Sequence, residues 1–343
     1  MDGNRKSLVL CMLAVTACLL SCGGPGNQAA PAPKGVQKPA GVLANARYPL
    51  TTPTFDGSGQ GMHPGIVHFE MGWHGYTHWM SLTPYPESNA SLENPSVLAS
   101  NDGLNWEVPA GLVNPVATPS GVHMDDPDLM YDDASDQLWI YYLEEDRVGK
   151  THVWRKTSAD GTIWSEAIDV LTVPNYRVVS PALLRTAAGY GLYTINAGGE
   201  GCSAASTTVE YRTSSDGIEW SYPQTVNLVQ PGYTIWHIDV SYIPPRDEYW
   251  AVYAAYPAQP GKACGDSVLF LAESKDGLTW TTHRRALLMP GNSWDSSEIY
   301  RSTVLYEPAT ENLRLWYSGA SSYVWHTGYA ERRFSDTLAA LDQ

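Results

Sequence analysis

From about Tyr48 onward, apolar residues recur at every second position in short runs, and no stretch keeps the 3.6-residue period of a helix. These runs predict strands. Five of them open on a polar residue: His63-Pro64-Gly65-Ile66-Val67, Asp126-Pro127-Asp128-Leu129-Met130, Ser180-Pro181-Ala182-Leu183-Leu184, His237-Ile238-Asp239-Val240 and Tyr300-Arg301-Ser302-Thr303-Val304. A second strand follows each, with Trp79, Trp139, Leu192, Trp250 and Trp316 at matching places. A third runs into a turn of the form S-x-D-G-x-x-W, which occurs four times, from Ser100, Ser158, Ser214 and Ser274. The tryptophans closing these turns, Trp106, Trp164, Trp220 and Trp280, stand 58, 56 and 60 residues apart. That period fits one four-stranded blade, so the pattern predicts an all-β chain, a five-bladed β-propeller over residues 46–343. In each turn the Asp carboxylate is expected to accept backbone N–H bonds and the Gly to take a positive φ, a structural role at the blade rim. Blade five lacks such a turn, so an N-terminal segment is expected to supply its outer strand.

The start of the chain breaks the pattern. Arg5 and Lys6 precede an apolar run from Leu8 to Leu20, and then comes Leu19-Leu20-Ser21-Cys22. This predicts a leader over residues 1–21, too short to span a membrane. Its end resembles a bacterial lipobox, which would make Cys22 a lipid anchor; a plain signal peptide with an incidental Cys is the alternative. Residues 22–45 have the composition of a flexible tether. The expectation is an exported protein at a bacterial envelope, at the outer membrane in preference to the inner because Gly23 is not Asp, with membrane contact through the lipid alone. Without the leader, and with Cys22 acylated, only Cys202 and Cys264 remain as thiols, in equivalent loops of neighbouring repeats. An oxidising compartment predicts a disulfide there; two free thiols are the alternative.

Composition narrows the partners. A net charge of -15 with no cluster of Lys and Arg excludes a nucleic-acid surface and favours a neutral or cationic ligand. The 13 Trp and 21 Tyr against 4 Phe suit a surface that is flat and also hydrogen-bonding, as carbohydrate recognition requires, although blade packing also consumes Trp.

In a propeller the inner strands begin on one face around the axis, so His63, Asp126, Ser180, His237 and Tyr300 are expected to form a ring, with Arg301 beside the last. Five polar residues in register are not explained by packing alone. Asp128 and Asp239 stand two residues further in, Glu93 opens a third strand, and Glu298 precedes blade five. Asp125, Glu144, Glu145 and Asp146 read as solvated carboxylates. Trp73, Trp236, Trp294 and Trp325 fall outside the repeated blade positions and are candidate stacking platforms. No zinc motif or phosphate loop is present, so no metal ligand is assigned and no cofactor is required, though a Ca²⁺ or a water on the axis between His63 and His237 is compatible with the pattern.

The Asp126-Pro127 strand start, the five blades and the S-x-D-G-x-x-W turns resemble the five-bladed glycoside hydrolases of families 43, 32, 68 and 117. That resemblance implies a carboxylate base or nucleophile from blade one, a carboxylate in blade two and an acid from blade three. Asp126 matches the blade-two position, whereas His63 and Ser180 hold the other two. Either the acid and base come from elsewhere on the rim or the protein binds without cleaving. The expectation is a glycoside hydrolase with Asp126, Asp239, Glu93 and Glu298 as the catalytic carboxylates: Asp239 or Glu93 as base, Glu298 as acid, Asp126 gripping sugar hydroxyls. His63, Asp128, His237, Tyr300, Arg301, Trp236, Trp294 and Trp325 would bind substrate. A non-catalytic glycan-binding protein is the alternative. A sialidase would need three arginines, and only Arg301 is well placed.

Overall fold

The structure, a computed structural model, describes residues 41–343. The expected leader, Cys22 and residues 22–40 of the expected tether lie outside the described residues. Five antiparallel sheets follow one another along the chain. Blade one is β1 (Gly61–Trp73), β2 (Tyr76–Pro84) and β3 (Ser96–Ser100). Blade two is β4 (His123–Asp132), β5 (Gln137–Glu145), β6 (Thr151–Ser158) and β7 (Ile168–Val173). Blade three is β8 (Val178–Thr186), β9 (Gly189–Asn196), β10 (Thr208–Ser214) and β11 (Gln224–Thr225). Blade four is β12 (Tyr233–Ile243), β13 (Glu248–Pro257), β14 (Val268–Ser274) and β15 (Thr281–Thr282). Blade five is β16 (Glu298–Glu307), β17 (Asn312–Ser321) and β18 (Val324–Arg333). The inner strands β1, β4, β8, β12 and β16 touch in sequence and β16 returns to β1, which closes a five-bladed ring.

The S-x-D-G turns both cap a blade and lock it to its neighbour. In the first, Asp102 Oδ1 accepts from the N–H of Leu104 (2.8 Å) and Asn105 (2.7 Å), and Gly103 N–H donates to Ser100 Oγ. The same bonds recur around Asp160, Asp216 and Asp276. Each glycine then lies on an aromatic ring of the preceding blade: a β-carbon on Gly161 would run into Trp79, and one on Gly217 into Trp139. Its carbonyl is taken as well, with Trp316 Nε1 donating to Gly103 O (2.7 Å) and the Tyr193 hydroxyl to Gly277 O (2.6 Å). Positive φ and close ring contact together demand glycine here. In blade three the contact is Tyr193, not the neighbouring Leu192.

Three features depart from the sequence expectation. Residues 41–45 are not tether: Val42 and Leu43 are buried and their N–H groups donate to Ala286 O and Leu287 O. The N-terminal segment supplies no outer strand to blade five; Leu50 N–H donates to Thr327 O, and no ladder forms. A C-terminal helix, α1 (Phe334–Leu341), was not predicted by the periodicity. Its Phe334 stacks on Trp250 with centroids 3.9 Å apart. Trp250 is the blade-four counterpart of Trp79 and Trp139, so α1 covers the ring that a fifth turn would have covered.

Candidate active site

Every inner strand carries one extra residue near its start. Pairing with the second strand slips between Met62 and Gly65, Asp125 and Asp128, Val179 and Ala182, Ile235 and His237, and Ile299 and Ser302. Five β-bulges therefore lie at one level around the axis, and a bulge turns its side chains out of the pleat. At three of them the residue is left-handed although it is not glycine: His63 (φ 59°), Asp126 (φ 47°) and Ser180 (φ 58°). Each precedes a proline, which has no N–H to leave unpaired in the broken ladder. The polar-Pro dipeptides in the sequence are these bulges, and such backbone strain is held where it positions functional groups.

The bulges bring His63, Asp126, His237 and Tyr300 together. His63 Nε2 lies 3.3 Å from Asp126 Oδ1, and His237 Nδ1 lies 3.5 Å from Asp126 Oδ2. The two imidazoles are 5.2 Å apart, and the Tyr300 ring is 4.3 Å from that of His237. The side chains of His63, Asp126 and His237 are 3%, 1% and 3% exposed. Burial holds His63 down at about 3 and His237 well below its ordinary value, so both are neutral near pH 7. His63 Nδ1 faces Thr83 Oγ1 (3.2 Å) and Glu93 Oε1 (3.4 Å), which leaves the Nε2 lone pair pointing at a carboxylate. His63 Nε2, Asp126 Oδ1 and both His237 nitrogens have no hydrogen-bond partner. With one His237 nitrogen carrying its proton, one ligand atom from each of the three residues lies within 4.8 Å of the others, a set that could hold a cation.

Acidic groups crowd this set. Burial, then Asp125 and Asp126, push Glu93 well above the usual carboxylate range. Asp125 is also raised by burial, against a hydrogen bond from His123, whose Nε2 is 3.2 Å from Asp125 Oδ2. Glu298 is pushed up to about 7 by burial and then by Asp266. The Tyr85 phenol is raised to about 12 by burial and then by Glu93, Glu298 and Asp125, so it lies among all three carboxylates. Sequence reasoning missed Tyr85, Thr83 and His123, and it read Asp125 as solvated. The nearest signal was His123 itself, three residues ahead of Asp126 in one strand.

The other candidates are engaged in hydrogen bonds or packing. Ser180 is a clamp: its Oγ donates to Ile238 O (2.8 Å) and accepts from Ile238 N–H (3.0 Å), while its own N–H donates to Asp126 Oδ2 (2.8 Å). Deeper along the axis, Asp128 accepts from Leu183 N–H (2.8 Å), and Arg301 donates to Pro181 O (2.7 Å) and lies 3.4 Å from Asp128. Asp239 is tied to Thr303 and to the backbone of Val304 and Val240. Trp236 donates to the Tyr300 hydroxyl (2.6 Å), and Trp325 to Ser88 Oγ (3.1 Å). Trp294 donates to Ala46 O and stacks on Tyr317. Trp73 ends β1, ten residues past His63, and packs against Trp79. Glu144 is buried and accepts from the Ser120 and Gly121 N–H groups, Glu145 pairs with Arg177, and Asp146 caps its own turn. Cys202 and Cys264 form a disulfide with Cα atoms 5.0 Å apart. It fixes the loop in which Gly265 lies beside the Glu298 carboxyl and Cys264 beside the Tyr300 hydroxyl. A cavity of about 620 Å³ opens at the other end of the inner strands. Its walls, such as Leu129, Leu184, Val240 and Leu305, converge no comparable set of unpaired polar atoms.

Comparison with known proteins agrees with this architecture. No family model matches the chain. It is 29% identical to the A type blood N-acetyl-alpha-D-galactosamine deacetylase of Flavonifractor plautii across 81% of its own length, but spans only 45% of that protein. A crystal structure of an N-acetylgalactosamine deacetylase from F. plautii, in complex with blood group B trisaccharide, superposes with a TM-score of 0.81 at 29% identity, covering 88% of this chain and 98% of that one. A thermostable family-43 glycoside hydrolase superposes at 0.59 with 14% identity, covering 83% of this chain and 92% of its own. The alpha-L-arabinofuranosidase PaAbf62A from Podospora anserina, in complex with cellotriose, gives 0.59 at 13% identity, covering 85% and 98%. The last two share the fold. The resemblance to five-bladed glycoside-hydrolase propellers therefore stands at the level of architecture.

Proposed function

We propose that the protein is a metal-assisted carbohydrate amidohydrolase that removes the N-acetyl group from an amino sugar at the end of an oligosaccharide. Water adds to the acetyl carbon, the C–N bond breaks, and acetate and a free amine leave. The observation that carries this reading is the convergence of His63, Asp126 and His237, with unpaired donor atoms, His63 standing where the likeness to the glycosidases implies a carboxylate. The 29% identity to a deacetylase supports it. Two imidazole nitrogens and one carboxylate oxygen suit a transition-metal dication better than Ca²⁺, which takes six to eight oxygens. Such an ion would supply Lewis-acid polarisation of the acetyl carbonyl.

The chain's own groups handle the protons. Glu93 Oε1 lies 3.4 Å from His63 Nδ1, so it orients that ring, and in its ionised form it can take a proton from the attacking water. Two residues can return a proton to the departing nitrogen: Glu298, at about 7, and His123, whose imidazole is raised by its bond to Asp125. Glycoside hydrolysis is the second reading, favoured by the raised carboxyls of Glu93 and Glu298. Export belongs to the proposal as well, supported by the Cys202–Cys264 disulfide, with Cys22 as the anchor.

The test is to incubate the protein with an N-acetylgalactosamine-terminated trisaccharide and measure acetate, free amine and released sugar separately. Acetate and amine without free sugar are expected, falling by about a hundredfold or more with a chelator or in Asp126→Ala. Sugar release without acetate would give the glycosidase reading, and binding without either product would leave a capture protein.

A further inference from the structure

The blade-five side of the mouth carries an aromatic residue that packing does not explain. Between Ser321 and Val324, the last pair of the β17–β18 ladder, only Ser322 and Tyr323 remain to turn the chain. Both are left-handed, with φ of 53° and 68°. A two-residue hairpin of this kind normally uses Asn-Gly, because positive φ is disfavoured for a bulky side chain. Tyr323 nonetheless occupies it and is 67% exposed. The turn is at the mouth end of its blade, since β17 approaches the axis level of Glu298 and Ile299 as it ends.

From this turn a line of rings leads inward. Trp325, two residues on, has its ring 5.9 Å from Tyr85 and 5.3 Å from Tyr300, and Tyr300 in turn lies against His237. Trp325 is itself 4% exposed, and Trp236 is 5% exposed, so neither offers a free face. At about 3.3 Å per residue, Tyr323 stands roughly 7 Å further out than Trp325, about the length of one sugar ring. We propose that Tyr323 is the stacking platform of an outer subsite, binding the second or third ring of an oligosaccharide whose terminal residue lies at His63, Asp126 and His237. This rests on the function proposed above. The chemistry it selects is a neutral glycan, since the chain's net charge of -15 opposes sulfated or uronic-acid chains. An aromatic face against the C–H face of a sugar contributes without charge, and it is lost when the ring is removed.

The test is calorimetric titration of wild type, Tyr323→Ala, Tyr323→Gly and Tyr323→Trp with an N-acetylgalactosamine-terminated trisaccharide and with free N-acetylgalactosamine, alongside acetate release. Gly suits the backbone at this position, so that variant is expected to fold at least as well as wild type and guards against a merely misfolded Ala variant. The ratio of trisaccharide to monosaccharide affinity should fall about tenfold in the Ala and Gly variants and hold in the Trp variant. An unchanged ratio in both, or a wild type that binds the two ligands equally, overturns the platform even if acetate is released. Trisaccharide binding that depends on Tyr323 without any acetate release would keep the platform and defeat the deacetylase reading. A wild type that binds neither ligand defeats both.

Discussion

At the scale of single residues, the same dipeptide pattern produces opposite roles. His63-Pro64 and Ser180-Pro181 both open inner strands with a left-handed residue at a bulge, yet His63 presents a free nitrogen at the axis while Ser180 bonds both ways to Ile238. Replacing Ser180 with Ala should therefore act on stability and not as the loss of an acid. It leaves the buried Ile238 N–H and C=O unpaired, a cost of about 2 to 4 kcal/mol in urea unfolding, while the shape of the pH-rate profile stays the same. A profile that loses its alkaline limb instead would restore blade three as the source of the proton donor. The polar starts of the inner strands were legible in the sequence because a core strand has no reason to begin with His or Asp. Which of them face the axis was not legible, since that depends on how each bulge meets the neighbouring strand. Trp294 and Trp325 show the same limit: their positions off the blade repeat were visible, but their burial against Ala46, Ser88 and Tyr85 is tertiary.

At the scale of elements, the S-x-D-G-x-x-W turns were the most legible feature, because every bond in them is local. Their carboxylates also give the fold an acid limit. Backbone N–H bonds, from Thr279 and then Leu278, hold Asp276 at about 2, and the same kind of bonds lower Asp102, Asp160 and Asp216. An unfolded Asp titrates near about 3.9, so the folded value is the lower one. The stabilisation is then fully present above about pH 4 and is lost as the pH falls through the folded values. The thermal midpoint should drop between pH 4 and pH 2, and Asp276→Asn, which cannot titrate, should drop less over that interval although it starts lower. Equal slopes for the two proteins would show that these turns do not set acid stability. By contrast, α1 escaped the sequence reading because eight residues hold barely two turns. Helices that short form only when packing holds them.

At the scale of the whole molecule, that packing ties blade five to blade four. Four blades present their second-strand aromatic to a glycine of the next turn, and blade four, with no turn following it, presents Trp250 to Phe334 instead. Arg246 lies over the same Phe334 ring at 4.3 Å, Arg285 reaches from the blade-four edge to Ala340 O, and Arg332 from blade five to Val42 O. The two terminal segments thus tie blade five to blade four, and blade five contributes Tyr300 and Glu298 to the site. Phe334→Ala should cost about 3 to 5 kcal/mol, as removal of a buried aromatic does, with the loss read as a lower urea midpoint. Because the contact joins blades and does not lie within one, the deletion of residues 334–343 should go further and separate the unfolding of blade five from the rest, seen as two transitions where wild type shows one. A truncated protein that still unfolds in a single step, at an unchanged midpoint, would mean that the inner strands close the ring unaided and that α1 merely rests on its edge.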